Sequence, residues 1–215
     1  MGISAQCQLI KRGFYPKGGG QVRVCIQPVK HLQPITLLKR GEISGIQGVA
    51  YTAGQVPLRV AQRMAQQAER TLQKELKLRI PINIESRYLS ASEAMATGCG
   101  IFLTANTTTD CVFGGTGFGR KGKPAEEVAN DAANELIKAV KELGCVDEHL
   151  QDQLIIFMAL AKGLSRVRCG PLTMHTETAI DIAQKLCQVN FETAQQEDGT
   201  VIVSCNGIGK ENANI

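Results

Sequence analysis

The feature that most restricts the fold is an amphipathic segment flanked by two strand-like segments. After Pro57, apolar side chains recur every fourth position from Val60 to Leu76, and Arg, Gln, Glu and Lys occupy the opposite face. This spacing predicts a helix that begins near Pro57 and buries one stripe. The flanking segments 43–51 and 80–84 have the apolar content and alternation of strands. Strands and helices that follow one another in this order predict mixed α/β layers.

The rest of the chain repeats this alternation. Helices are predicted after Pro124, after Asp147 as an N-cap, and from Thr176 to about Val189. Further strands are predicted at 5–12, 22–26, 101–105, 111–113, 191–194 and 200–205. The first two and the last two of these strands read as hairpins, because turn residues separate them. We therefore expect helices on one face of each sheet.

Composition excludes several classes of protein. The 215 residues are 43% hydrophobic and 20% charged, which is ordinary for a globular protein. No apolar run is long enough to span a bilayer, and the start does not have the pattern of a signal peptide. We therefore expect an intracellular protein that does not associate with a membrane. The eight cysteines form no CxxC pair. Neither a zinc site nor a compact disulfide framework is expected.

Positive charge is concentrated at the start of the chain. Residues 1–41 contain seven Lys or Arg residues and no acidic residue, at positions 11, 12, 17, 23, 30, 39 and 40. This bias is typical of a polyanion-binding surface or, alternatively, of a solvated basic face. The chain has no Trp and is only 4% aromatic, so an aromatic platform for single-stranded nucleic acid is not expected.

A glycine-rich connection joins the first two predicted strands. Its sequence is GFYPKGGGQ, with Lys17 at the tip. Consecutive glycines allow close approach of the backbone to a ligand, and the lysine suits a phosphate. The loop lacks the GK[ST] ending and the helix of a nucleotide-binding P-loop, so the signal is weak as chemistry alone.

His175 is the leading candidate for a catalytic residue. It lies in SRVRCGPLTMHTETAID, where a loop becomes the last predicted helix. Unpaired N–H groups and the positive end of the helix dipole make this position suitable for a phosphate. Arg166 and Arg168 lie just upstream and add positive charge. The alternative interpretation is a polar capping histidine in a loop.

A second candidate cluster lies on the predicted helix after Asp147. His149, Asp152 and Gln153 are spaced so that they point to one side of that helix. A polar triplet on a mostly apolar helix is typical of a binding site. A solvent-facing first turn is the alternative explanation.

Three stretches, taken together, resemble the RNA 3'-terminal phosphate cyclases. The hairpin RGFYPKGGGQV at 12–22 matches the signature of that family, which is RG, two residues, P, one residue and GGG. VDEHLQDQLIIFMALA at 146–161 is similar to its conserved helix. GPLTMHTETAI at 170–180 is similar to the segment that holds its nucleophilic histidine. All three occur in the family's order.

The resemblance implies a particular architecture. Cyclases consist of repeated β/α units with a small inserted α/β domain. We accordingly expect the end of one core unit at 1–36, the inserted domain at 37–120 and a C-terminal core unit at 121–215. Against that family pattern the chain starts partway, so that sheet faces covered by the earlier units are expected to be exposed.

The resemblance also implies an activity. The expected reaction is the ATP-dependent conversion of an RNA 3'-terminal phosphate into a 2',3'-cyclic phosphodiester through a covalent histidine–AMP intermediate. The resemblance implies ATP and either magnesium or manganese as cofactors, and RNA with a 3'-phosphate as the partner. For a eukaryotic chain it implies a nuclear location. The alternative is a catalytically silent protein of RNA processing or RNA binding.

Site residues follow from the same resemblance. His175 corresponds to the nucleophile, and His149, Asp152, Gln153 and Phe113 correspond to nucleotide-binding positions. The loop residues Arg12, Lys17, Gly18, Gly19 and Gly20 correspond to an RNA- or phosphate-binding element. The family usually has a tyrosine where this chain has His149, so weaker nucleotide binding is expected. No metal ligand is expected from the sequence.

Overall fold

The computed structural model describes residues 1–77 and 79–215. In this part of the chain, the strands are β1 Ser4–Lys11, β2 Gln21–Gln27, β3 Thr36–Leu37, β4 Ile43–Ala53, β5 Ile82–Leu89, β6 Gly98–Thr107, β7 Val112–Phe118, β8 Lys162–Cys169, β9 Phe191–Gln195 and β10 Val201–Ile208. The helices are α1 Leu58–Leu76, α2 Ala125–Lys141, α3 Glu148–Leu160 and α4 Met174–Cys187. The predicted mixed α/β architecture is confirmed.

The middle of the chain forms a four-stranded sheet in the order β5-β4-β6-β7. β4 runs parallel to β5 and antiparallel to β6, and β6 pairs antiparallel with β7. α1 and α2 cover one face of this sheet, where Met64 and Leu72 of α1 pack in one core with Leu136 of α2. The opposite face carries exposed side chains such as Phe102 and Val112.

α2 lies close to the sheet because β7 presents glycines to it. A Cβ on Gly115 would lie 2.3 Å from the carbonyl oxygen of Ala132, and one on Gly117 would lie 2.1 Å from that of Val128. Only glycine permits this approach of backbone to backbone. The expected domain boundary at residue 120 falls between β7 and α2, whereas the structure packs α2 on the middle sheet. A stripe of apolar residues shows that a helix is buried but does not identify its partner sheet.

The C-terminal part forms a second four-stranded sheet in the order β3-β8-β10-β9. α3 and α4 pack against each other, and α3 contacts β8 and β10. β8 was expected to be part of a loop, yet it lies inside this sheet. Its buried residues, Ser165, Val167 and Cys169, alternate with two arginines, as expected for a strand. Only Val167 among the three is strongly apolar, so the alternation is weak in the sequence.

The β1–β2 hairpin contacts the middle sheet and the β5–β6 connection through its loop. Arg12 N donates to Glu93 O at 2.8 Å, and Met95 N donates to Arg12 O at 2.9 Å. Both strands are otherwise exposed over almost their full length, including Val24 and Ile26. None of the helices in the described residues is long and apolar enough to cross a membrane.

Candidate functional site

His175 lies in the first turn of α4, on the surface. The helix begins at Met174, one residue before the histidine rather than just after it. Thr173 is the N-cap, and its side-chain oxygen accepts a hydrogen bond from Thr176 N at 3.2 Å. This cap accounts for the early start, because it satisfies an N–H group that the helix itself leaves free.

The other N–H groups of this helix end can be followed one by one. Thr173 N donates to the side chain of Gln151 at 3.0 Å, and Glu177 N makes the first helical bond, to Thr173 O. The N–H groups of Met174 and His175 have no acceptor within the described ranges. Two free donors therefore lie beside the histidine ring at the positive end of a helix, where an anion is stabilised.

Gln151 of α3 connects the two helices at this end. It is 2% exposed, and its side-chain oxygen accepts from Thr173 N at 3.0 Å and from the Thr176 hydroxyl at 2.6 Å. Its amide nitrogen donates to Pro171 O at 3.4 Å. Since the starts of α3 and α4 are joined here, both helix N-termini lie at the same end of the pair.

Sequence reasoning did not identify Gln151. The helical period predicts an inward face of Leu150, Leu154, Phe157, Met158 and Ala161. Met158 and Ala161 are buried, but Leu150 is 38% and Phe157 is 40% exposed. The buried residues of α3 are Gln151, Ile155, Met158 and Ala159. A glutamine in register with Ile155 and Met158 is the signal that would have found it, because a buried amide needs partners.

His149 is tied to α2. Its Nε2 lies 2.9 Å from Glu135 Oε1, and this hydrogen bond raises the pKa of His149 above its ordinary value, while burial opposes the increase. The other oxygen of Glu135 accepts from Thr116 N at 2.6 Å. Asp147 accepts from Gly114 N at 3.4 Å, so two carboxylates cover the outer edge of β7.

Asp152 and Gln153 lie one turn further along α3. Asp152 is partly buried and Gln153 is exposed, and neither side chain has a hydrogen-bond partner among the described residues. Both lie in the N-terminal half of α3, as does His149, and Gln151 joins this half to the start of α4, where His175 lies. The structure therefore places four of the predicted site residues in the N-terminal halves of α3 and α4.

Phe113 does not join this group. Its side chain is fully buried in the core beneath α1 and α2, so its ring has no face open to a base. The expected contact with adenine is therefore incompatible with its position. The exposed aromatic residue on β7 is Phe118, which is 67% exposed at the other end of the strand.

The glycine-rich loop is held by the middle sheet. The guanidinium of Arg12 lies 4.0 Å above the ring of Tyr51, and the Phe14 ring lies 6.3 Å from that ring. Gly18 and Gly19 have φ values of 61° and 71°, which favour glycine. Lys17 is exposed between them and Phe14. In the described parts of the chain, no hydrogen bond joins this loop to α3 or α4.

The two arginines before His175 are not equally free. Arg168 donates to the Thr200 hydroxyl at 2.9 Å and forms an ion pair with Asp198 at the tip of the β9–β10 hairpin. Arg166 is exposed on β8. Of these two arginines, Arg166 is therefore the one that has no ion-pair partner among the described residues.

The side chains that could bind a metal ion are dispersed. Within residues 1–77 and 79–215, no three His, Cys, Asp or Glu side chains converge as metal ligands. Burial raises the pKa of the Cys145, Cys169 and Cys205 thiols, to about 12 for Cys169.

Comparison with known proteins identifies the same family as the three motifs. The sequence model described as "RNA 3'-terminal phosphate cyclase (RTC), insert domain" matches residues 38–141, the span that contains the middle sheet with α1 and α2. A protein of Dictyostelium discoideum named "Probable RNA 3'-terminal phosphate cyclase" is 40% identical over 97% of this chain, and the alignment covers 49% of that protein. One of Drosophila melanogaster, named "RNA 3'-terminal phosphate cyclase", is 38% identical over 98% of this chain, and the alignment covers 58% of it. The chain thus spans about half the length of the curated relatives it matches.

Proposed function

Because this chain belongs to the RNA 3'-terminal phosphate cyclase family, we propose that it carries the nucleophilic histidine of an ATP-dependent, ligase-type RNA 3'-phosphate cyclase. The proposed product is a 2',3'-cyclic phosphodiester at the end of an RNA. A nuclear location accompanies this assignment as an expectation. The single observation that carries the proposal is the exposed ring of His175 beside two free N–H groups of α4.

The proposed chemistry begins on His175. One ring nitrogen attacks the α-phosphorus of ATP, a P–N bond forms, the bond to the bridging oxygen breaks, pyrophosphate leaves and the ring loses a proton. An oxygen of the RNA 3'-phosphate then displaces His175 and takes AMP. Finally the adjacent 2'-hydroxyl oxygen attacks the 3'-phosphorus, its proton is released, and AMP departs. Covalent catalysis divides a difficult displacement into easier ones.

The first turn of α4 suits the first step. Negative charge develops on the phosphoryl oxygens as the histidine attacks, and preorganised N–H donors stabilise such charge most effectively when they need no rearrangement. The N–H groups of Met174 and His175 meet this requirement because no acceptor in the described chain competes for them. Arg166 adds positive charge on the neighbouring strand.

Three residues of α3 are proposed to contact the nucleotide. His149, Asp152 and Gln153 lie in the N-terminal half of α3, and the hydrogen bond that His149 donates to Glu135 favours the charged form of His149, which attracts phosphate. Phe113 is not included, because it is buried. The described residues hold no converging ligand set for the magnesium or manganese that the family resemblance implies.

The glycine-rich loop is proposed to bind the RNA. Lys17 is exposed and available for a phosphate, together with the backbone of Gly19 and Gly20, whereas Gly18 N donates to Phe14 O at 2.9 Å within the loop. Arg12 holds the loop in place rather than offering a free charge, because its guanidinium stacks on Tyr51 and its backbone bonds to Glu93 and Met95. We therefore assign the RNA contact chiefly to Lys17.

A catalytically silent RNA-binding protein is the second candidate. It is favoured by the β1–β2 hairpin, whose apolar residues Val22, Val24 and Ile26 are all more than half exposed, a surface suited to a partner rather than to chemistry. This alternative predicts binding of RNA that depends on salt and does not depend on a 3'-phosphate.

Covalent labelling separates these functions. The chain is incubated with ATP labelled on the α-phosphate and a divalent metal, and protein-bound label is measured beside His175→Ala and His31→Ala. The chain has three histidines. His31, which lies between β2 and β3 and outside the proposed site, provides a matched control. We expect acid-labile label that the His175 variant loses and the His31 variant keeps. No label on a folded chain would contradict the proposal and favour the silent alternative.

A further inference from the structure

We propose that Gln151 is the positioning residue for His175. Its buried side chain fixes the first turn of α4 so that the histidine ring and the two free N–H groups face the same approaching phosphate. This inference deepens the proposed function and rests on it, because the position of His175 matters to catalysis only if that residue is the nucleophile.

The contacts of Gln151 surround His175 in the sequence. They reach Pro171, Thr173 and Thr176, on both sides of the histidine, at 3.4, 3.0 and 2.6 Å. Gln151 is 2% exposed and Thr176 is fully buried, so water does not replace these hydrogen bonds when they are lost. All the partners of this amide therefore belong to the segment that carries His175.

The bonds also have a fixed direction. The Thr176 hydroxyl donates to Gln151, which leaves its oxygen to accept from the Thr173 hydroxyl at 3.1 Å. The Thr173 oxygen in turn accepts from Thr176 N, the bond that caps the helix. Such a chain polarises each member and strengthens the next. Gln151 is the acceptor at its end and so determines the orientation of the cap.

An apolar residue would serve packing alone at this position. Gln151 shares its buried stripe with Ile155 and Met158, where Leu or Met would bury more apolar surface without needing partners. The amide instead accepts from the backbone N–H of the N-cap residue Thr173 and from the buried hydroxyl of Thr176. Its role therefore concerns the geometry of the α4 N-terminus rather than the core.

The test compares two glutamines whose side chains bond at opposite ends of α4, Gln151 of α3 at its start and Gln184 of α4 itself near its end. Gln151→Met removes the amide and keeps the volume. Gln184→Met is the matched control, because Gln184 Oε1 accepts from Phe191 N at 3.0 Å beyond the C-terminus of the same helix. Thr176→Val removes the hydroxyl partner from the other side and serves as a second variant if the first does not fold. Amide hydrogen exchange and the rate of covalent labelling against ATP concentration are measured for each.

We expect Gln151→Met and Thr176→Val to speed exchange of the Thr176 and Glu177 amides roughly tenfold, the effect of one lost hydrogen bond. The maximal labelling rate should fall roughly tenfold or more, since misplaced reacting groups lose rate. The ATP concentration at half-maximal rate should change much less. Gln184→Met should speed exchange near Phe191 and leave the labelling rate unchanged.

Two results would overturn the inference. Unchanged exchange of Thr176 and Glu177 in Gln151→Met would show that the amide does not hold the turn. Faster exchange with an unchanged labelling rate would reduce Gln151 to a structural role. Absence of label on the wild-type chain would overturn the proposed function instead, and the exchange data would still decide whether Gln151 anchors the helix.

Discussion

Glu135 of α2 and His149 of α3 share a hydrogen bond of 2.9 Å that links the middle sheet to the C-terminal helix pair. The same carboxylate accepts from Thr116 N on β7 at 2.6 Å. One side chain thus joins a strand, a helix of the middle layer and a helix of the proposed nucleotide site. Its charge determines the protonation of His149.

Glu135→Gln should lower the pKa of His149 toward its ordinary value of 6.5, because the carboxylate hydrogen bond is the largest cause of the increase. The amide oxygen of the variant still accepts from Thr116 N. Titration of the histidine ring signals by NMR measures the shift. Asp131→Asn on the same helix is the control, since Asp131 pairs with Lys123. An unchanged pKa of His149 would contradict the assignment.

The same pair makes stability depend on pH in a definite direction. A histidine with a raised pKa in the folded state binds its proton more tightly there, so its stabilisation is complete below the unfolded value and disappears as pH rises through the folded value. The free energy of unfolding should therefore decrease slightly as pH rises from below 6.5 through the folded pKa. Because His149 is 64% exposed, the effect should be small, and Glu135→Gln should remove it.

Gly117→Ala should destabilise the middle sheet. The new Cβ would lie 2.1 Å from the Val128 carbonyl oxygen, so α2 must move outward, at a cost of about 1–3 kcal/mol. Gly114→Ala is a control on the same strand, because its Cβ would meet nothing within 4 Å. Urea unfolding curves give both values. Equal midpoints for the two variants would show that α2 does not pack as described.

Arg12→Ala should loosen the hairpin from the middle sheet. The cation–π contact with Tyr51, which is 3% exposed, contributes about 1–2 kcal/mol when it is shielded from water. Limited proteolysis within residues 13–20 should become faster, while Tyr51→Phe, which keeps the aromatic face, should resemble the wild type. Cleavage of Arg12→Ala at the wild-type rate would argue against a structural role for this arginine.

Lys17→Ala should weaken RNA binding without loss of stability. Removing one phosphate contact to a single strand should reduce the slope of log K against log salt by about 0.7. Lys141→Ala is the control, because Lys141 lies on α2 beside Glu75. Fluorescence anisotropy with a 3'-phosphorylated oligonucleotide at several salt concentrations measures both. A slope equal to that of the wild type would remove Lys17 from the interface.

Local signals predicted much of the secondary structure. Pro57 and Pro124 mark the starts of α1 and α2, because proline fixes a suitable φ where no donor is needed. Asp147 was correctly expected to cap α3, as its side chain accepts from Leu150 N. The position of His175 at a helix start was likewise readable from the apolar spacing after it.

Long-range relationships were not readable from the sequence. Which sheet α2 covers depends on the close approach at Gly115 and Gly117, which a helical stripe does not encode. The sequence did not predict β8 because its inward face is mostly small or polar. Its hydrogen bonds to β3 and β10 stabilise it as a strand instead. The role of Gln151 depends on the loop before α4, whose path only the packed structure gives.

The pairing of β3 with β8 has a consequence for how the chain folds. Ile35 N reaches the Ser165 hydroxyl across a sequence separation of 130 residues, and Arg166 N donates to Ile35 O. Contacts this distant carry a large entropic cost until the intervening chain is compact. The middle sheet is built from neighbouring segments, so we expect it to form first. Its formation brings β3 and β8, which precede and follow it in the chain, close together, and the C-terminal sheet then forms. Pulse-labelling of amides during refolding should show β4 and β6 protected before β3.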